Sequence, residues 1–173
     1  MKDKMIFSTI IGSKLYGLDH GESDTDLYEV YEGASTTLTH RKDEGLDIVS
    51  GSLTAFLLRA YSGSHQSCEA LFSPVKEWQP GMEAKWGAMI ANVVIAGGDV
   101  YEKYERTIRN FCYGTHKERR HAVRLSYNLQ DLRQEGRFNP VLDWGQAMFA
   151  DAMAGYYRDD ELAHILGVFK EVI

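Results

Sequence analysis

The hydrophobic period of this chain changes once, and that change limits its fold more than any other feature. Before Ser52 the apolar residues come in short runs rich in β-branched and aromatic types: MIFSTIIG at 5–12, DLYEVYEG at 26–33 and LDIVSG at 46–51. Runs of this length and make-up predict strands. In the second run Tyr28 and Val30 alternate with Leu27 and Glu29, which predicts one buried and one wetter face. From Ser52 onward the spacing is helical. Leu53, Phe56, Leu57 and Ala60 recur at helical intervals behind Ser52, a natural N-cap. HQSCEALFSP predicts a short helix stopped at Pro74, and residues 77–112 read as mostly helical with a break at Gly97-Gly98. THKERRHAVRLSYNLQDLRQEG predicts the clearest helix, capped by Thr115 and ended by Gly136, and ELAHILGVFKEVI a last amphipathic one. ASTTLTHRKDEG, 34–45, reads as a polar loop, and DHGES, 19–23, as a turn centred on Gly21. The expected fold class is therefore α/β (α+β): a small mixed sheet backed by helices, with a helical C-terminal region. The expected division is a core over 1–75 and a helical region over 76–173, packed as one unit.

At 173 residues the chain is long enough to bury a core without staples. Its net charge of −6 excludes a global basic signature for nucleic acid, though Lys and Arg are unevenly placed. Cys68 and Cys112 show no metal spacing and fit a reducing compartment. No segment approaches the roughly 20 apolar residues of a membrane span, and no leader pattern opens the chain, so the expectation is a cytoplasmic protein with no membrane partner.

One stretch carries chemistry: GSKLYGLDHGESDTDLYEV, residues 12–30. Asp24 and Asp26 stand at i and i+2, so at a strand's start they share a face. Carboxylates that close repel unless they are solvated or share a cation. Asp47, on the next predicted strand, is placed to complete a trio. Three carboxylates at a strand end make a hard oxygen site suited to Mg²⁺, which recruits substrate phosphate oxygens as further ligands. Two such ions about 4 Å apart activate a hydroxyl and stabilise leaving pyrophosphate. Upstream, the Gly12-Ser13 turn offers backbone N–H groups and a hydroxyl to a phosphate.

Gly12-Ser13, Tyr16-Gly17 and Ser23-Asp24-x-Asp26 together resemble the signature of the DNA polymerase beta-like nucleotidyltransferase superfamily. The nearer likeness is to its branch called the RNA repair pathway DNA polymerase beta family. LDIVSGSLTAFLLRAYSGSHQSCEALFSP is similar to that branch's acid-bearing strand, apolar helix and Glu before LFSP. KERRHAVRLSYNLQDLRQEGRF is similar to its basic helix and glycine-ended turn. The likeness covers residues 5–75 well, 115–138 loosely, and 78–110 not at all. It departs where the branch often has Arg after the second acid and this chain has LYEVY, and where the branch often has Asn-Pro and this chain has Ser64-His65.

The resemblance implies that Gly12 and Ser13 hold nucleotide phosphates, that Asp24 and Asp26 bind metal, and that Asp47 completes the second metal site and assists deprotonation of the acceptor. The implied cofactor is Mg²⁺, two ions, with Mn²⁺ as a substitute. The implied reaction moves a nucleoside monophosphate, with ATP among the donors, to an acceptor hydroxyl: an RNA or tRNA 3′ end by the branch's name, otherwise a protein or a small molecule. The rival from another class is a non-catalytic nucleotide-binding or antitoxin-like module of the same fold. An intact trio of acids argues against it.

Other residues stay open at this level. Tyr16 either stacks near the nucleotide or packs behind the turn. Glu69, on an otherwise apolar helix, either pairs with a basic residue near the site or faces water. Glu22 reads as a solvated turn acid, and His65 and Cys68 as structural. Lys117, Arg120, His121 and Arg124 recur at three- and four-residue spacing and form one basic stripe, with Arg119 and Arg133 off it. The stripe is a solvated face, a surface for an acceptor backbone or a triphosphate clamp, with Lys117 and Arg124 the residues best placed for the clamp.

Overall fold

Of the five strands among the described residues, three form where the apolar runs predict them. The structure, a computed structural model, describes residues 4–19, 24–143, 150 and 154–167. β1 (Met5–Ile11) runs into a single helical turn, α1 (Gly12–Leu15). β2 (Thr25–Tyr31) follows, with Tyr28 and Val30 fully buried and Leu27 and Glu29 on the wetter face. The predicted turn at 19–23 falls largely on residues outside those described, as do Glu22 and Ser23 of the motif.

The polar stretch expected to be a loop contains a strand, β3 (Leu38–Asp43), joined by a tight turn at Glu44-Gly45 to β4 (Leu46–Ser52). β3 escapes an apolar-pattern reading because it is an edge strand with only Leu38 partly buried. Its order comes from backbone pairing with β4, from Leu38 opposite Gly51 to Asp43 opposite Leu46. The detour through β3 lets β4 return beside β2 in parallel, while every other pairing is antiparallel. The sheet order is β3-β4-β2-β1-β5.

Ser52 caps α2 (Leu53–Tyr61), its hydroxyl accepting from the Ala55 N–H at 3.1 Å. α3 (His65–Phe72) ends before Pro74 as expected. The next stretch is less helical than its composition predicts. β5 (Glu77–Trp78) pairs with β1 beyond the expected boundary at 75. A π-helical turn (Glu83–Gly87) leads into α4 (Ala88–Ala91), and residues 92–97 then run without helix. Val93 and Ile95 are buried there, and the Ile95 N–H donates to the Gly136 carbonyl at 2.7 Å. These apolar residues plug the core from an irregular segment, which periodicity does not separate from a helix face.

α5 (Gly98–Cys112) and α6 (His116–Glu135) form an antiparallel pair. α6 is bounded as predicted: Thr115 and Glu118 make a reciprocal capping box, and Gly136 closes the helix in the left-handed region at φ +69°. α7 (Asp159–Ile165) covers the described part of the last predicted helix, and residues 168–173 lie outside the described set. One core joins sheet and helices: Phe7, Tyr28 and Phe56 meet edge to face at 5.8 and 5.4 Å, and the same cluster continues to Leu125, Leu129 and Leu132.

Lys76 sits in this core's margin, 5.7 Å over the Phe7 ring, and donates to the Ser73 carbonyl. Burial first, and then the Arg137 charge, push its ammonium down to about 8. The unfolded chain holds that proton up to a pH of about 10.4. The charged form is thus disfavoured in the fold, and stability rises with pH between those values. Lys76→Met is expected to be a few kcal/mol more stable at pH 7 and to lose that rise, as read from urea melts at pH 7 and 9.5. Equal pH slopes in the two proteins would refute this.

Candidate active site at the edge of the sheet

A single row of residues crosses the sheet at the end where β1 stops and β2 and β4 begin. Ile11 is opposite Asp26, Asp26 is opposite Asp47, and Asp47 is opposite Lys42. Asp26 shares its face with Tyr28 and Val30, the face that packs on α2. It is the first inward residue of β2, at the point where apolar cover runs out, and is half-buried as a result. Burial, and next the Asp47 carboxylate, push the Asp26 carboxyl up, while the Lys117 and Arg124 charges pull it back down. Asp47 holds the Lys42 ammonium at 3.2 Å. Asp24 is exposed one residue before β2. Asp26 and Asp47 therefore meet across the ladder, and Asp24 flanks them. Among the described residues no three His, Cys, Asp or Glu side chains gather closely enough to hold a metal ion by themselves.

The turn at Gly12 abuts this row. Gly12 has φ +71°, and a Cβ there would lie 2.2 Å from Asp26 Oδ2. Only glycine permits both the backbone and the approach. The Gly12 N–H points inward and donates to Glu69 Oε2 at 3.0 Å, so it is not directed at a phosphate, contrary to its expected role. Ser13, half-buried, faces a shallow depression shared with Leu18, Lys117, Arg120, His121 and Arg124.

The basic stripe of α6 divides. Lys117 is exposed, and Arg120 lies within 3.4 Å of the Leu18 carbonyl. Arg124 is only 2% exposed. Its guanidinium bonds Glu69 Oε1 at 3.1 Å and stacks 4.4 Å from the centre of the Tyr16 ring. That commitment corrects the expectation of Arg124 as a clamp equivalent to Lys117: a buried guanidinium already paired with a carboxylate is a core ion pair behind the site. Tyr16 is fully buried, so it packs behind the turn and does not stack on a base. Glu69, left open by the sequence, is fully buried. Asn128 was missed: it donates to the Tyr16 hydroxyl. Its signal was a polar residue one turn after Arg124, among Leu125, Leu129 and Leu132.

Cys68 is no nucleophile: its thiol is buried, pushed up to about 12 by burial, and bonded to the Ala60 carbonyl at 3.5 Å.

No protein-family model matches the sequence, and no curated protein matches it significantly. Among solved structures, the chain is similar to a nucleotidyltransferase-like protein from Exiguobacterium sibiricum 255-15. The two share 10% identity and a TM-score of 0.36, over 95% of this chain and 66% of that one.

The candidate donors are carboxylate oxygens. Asp26, disfavoured in its charged form by burial and then by Asp47, would gain from a cation shared between the two. Carboxylates few in number are the ligands that Mg²⁺ takes, one or two at a time, with water and phosphate oxygens filling its shell.

Proposed function

We propose that this protein is a nucleotidyltransferase that moves a nucleoside monophosphate from a nucleoside triphosphate to an acceptor hydroxyl. The observation that carries the reading is the row Ile11–Asp26–Asp47, with the Gly12 turn pressed against Asp26. In the reaction the acceptor oxygen bonds the α-phosphorus, the bond from that phosphorus to the bridging oxygen breaks, and pyrophosphate leaves. Asp26 and Asp47, with Asp24 beside them, would hold Mg²⁺, or Mn²⁺ in its place. Bound there, the metal supplies charge neutralisation for the phosphates and a lowered pKa for the attacking hydroxyl. Once Lys42 is displaced, the freed carboxylate oxygen of Asp47 would take the hydroxyl proton. Ser13, Lys117 and Arg120 bind the triphosphate as charge-assisted or hydroxyl donors. Most of the acceleration is positioning and charge stabilisation. The acceptor is an RNA or tRNA 3′ end by the resemblance, with a protein or small-molecule hydroxyl as the alternatives.

One observation favours the rival, a nucleotide-binding module without catalysis: Lys42 already supplies Asp47 with a counter-charge. The bridge is exposed on the lysine side and is worth about 1 kcal/mol at most, so a divalent cation displaces it readily.

Pyrophosphate release from each nucleoside triphosphate, in Mg²⁺ with bulk RNA or cell extract, tests the reading. Asp26→Asn is expected to cut release more than about 100-fold. It is also expected to melt no lower than the parent, because the carboxylate it replaces is disfavoured by burial and by Asp47. Full activity in Asp26→Asn would overturn the mechanism, and no release from any triphosphate would leave the binding module as the better account.

A further inference from the structure

Behind the Gly12 turn, four side chains from three parts of the chain are joined end to end. Glu69 of α3 accepts from the Gly12 N–H at 3.0 Å and from Arg124 of α6 at 3.1 Å. Arg124 lies over the Tyr16 ring, 4.4 Å from its centre, and the Tyr16 hydroxyl accepts from Asn128 of the same helix as Arg124. All four are within 2% of full burial.

Stability does not explain this arrangement. Withdrawing two charges from water costs as much as their attraction returns, and an apolar pair of equal bulk often serves a core better. What the carboxylate alone supplies is an acceptor for an inward backbone N–H, at the residue whose missing Cβ makes room for Asp26 Oδ2. An unanchored turn can drift, and Ser13 and the space for Asp26 drift with it. The chain of contacts also ties the turn to α6, which presents Lys117 and Arg120 to the same depression.

We propose that Glu69 is a positioning residue. Its carboxylate fixes the Gly12 turn so that Ser13 and Asp26 face one substrate in a constant geometry. Arg124 is its counter-charge and not a phosphate contact. The inference rests on the nucleotidyl-transfer reading for its effect on rate, and on the Gly12 hydrogen bond alone for its effect on structure.

Four variants of the full chain separate this from a purely structural ion pair: Glu69→Leu, Arg124→Met, the double variant Glu69→Leu/Arg124→Met, and Glu69→Gln/Arg124→Met. Each single variant strands a buried charge or a buried partner and is expected to lower the melting temperature by about 10 °C. The Leu/Met double variant regains most of that loss. Its Gly12 N–H has no acceptor, so amide exchange at Gly12 speeds up at least tenfold, and kcat falls about 100-fold, with KM for the triphosphate rising as Ser13 moves. The Gln/Met double variant restores a neutral acceptor, and both Gly12 protection and kcat return toward the parent. Rescue of stability without rescue of kcat, followed by rescue from Gln, is the expected pattern. A Leu/Met double variant with parental Gly12 exchange and parental kcat overturns the proposal. If that variant does not fold, the Gln/Met variant decides alone: a protected Gly12 with kcat still low, or an unprotected Gly12 with parental kcat, overturns the proposal. If the parent releases no pyrophosphate, the transfer reading fails, while Gly12 exchange still reports whether Glu69 holds the turn.

Discussion

Gly12→Ala will lose transfer activity out of proportion to its loss of stability. The backbone at Gly12 has φ +71°, where a Cβ costs about 1–2 kcal/mol. For a domain of this size that lowers the melting temperature by about 2–8 °C. The new methyl would also stand 2.2 Å from Asp26 Oδ2 and 3.1 Å from Asp26 Cγ. The carboxylate is the free end of a side chain and can swing aside, so the clash is relieved by moving Asp26. Moving Asp26 removes it from its place opposite Asp47. Pyrophosphate release is expected to fall about 100-fold or more. Gly17→Ala is the matched control. Gly17 has φ +69° and nothing within 4 Å of a built Cβ, so it carries the same backbone cost without touching Asp26. It should melt lower by a similar amount and keep a near-parental rate. A Gly12→Ala protein as active as Gly17→Ala would remove Asp26 from the reaction.

The parts of this site that the sequence made legible are the ones that depend on local pattern. β1, β2 and β4 announce themselves through apolar runs, and Asp24, Asp26 and Asp47 are then placed at strand starts by counting. What counting cannot supply is the neighbour. Asp26 faces Asp47 because β3 turns back before β4, so that β4 runs parallel to β2. β3 buries almost nothing and so has no apolar signature. The same limit explains Arg124. On a helical wheel it belongs with Lys117, Arg120 and His121, and the stripe reads as one surface. Whether a guanidinium at the border of that stripe is buried depends on a carboxylate 55 positions earlier in the chain. Glu69 was visible as an acid on an apolar helix, but its partner was not. Tyr16 follows from both: once Arg124 is inside, its ring is what the guanidinium lies on. Residues 92–97 fail for a different reason. Val93 and Ile95 are apolar and buried, and in a segment that short burial looks the same whether or not the backbone is helical.

The packing that shelters the ion pair makes the protein sensitive to acid. His121 lies on α6 with its ring 5.9 Å from Phe111. Burial first, then the charges of Arg124, His65, Lys117 and Arg120, push its imidazolium down to about 2. His65 is pushed down as well, chiefly by burial, with Arg124 and Lys103 adding to it and Glu69 opposing. An imidazole in the unfolded chain titrates near 6.5. Above that pH neither state is charged and the term vanishes. Below it the unfolded chain takes up a proton that the folded protein refuses, so stability falls as pH drops from about 6.5. At pH 5 the His121 contribution to that loss is about 2 kcal/mol, and His65 adds to it in the same direction. His121→Gln keeps a polar side chain and cannot be protonated. Between pH 7 and pH 5 it is expected to lose about 2 kcal/mol less than the parent, or about 4–8 °C less in melting temperature. The comparison between the two proteins cancels the carboxylates that titrate in both. Parallel losses in parent and variant would show that the imidazole is not held neutral.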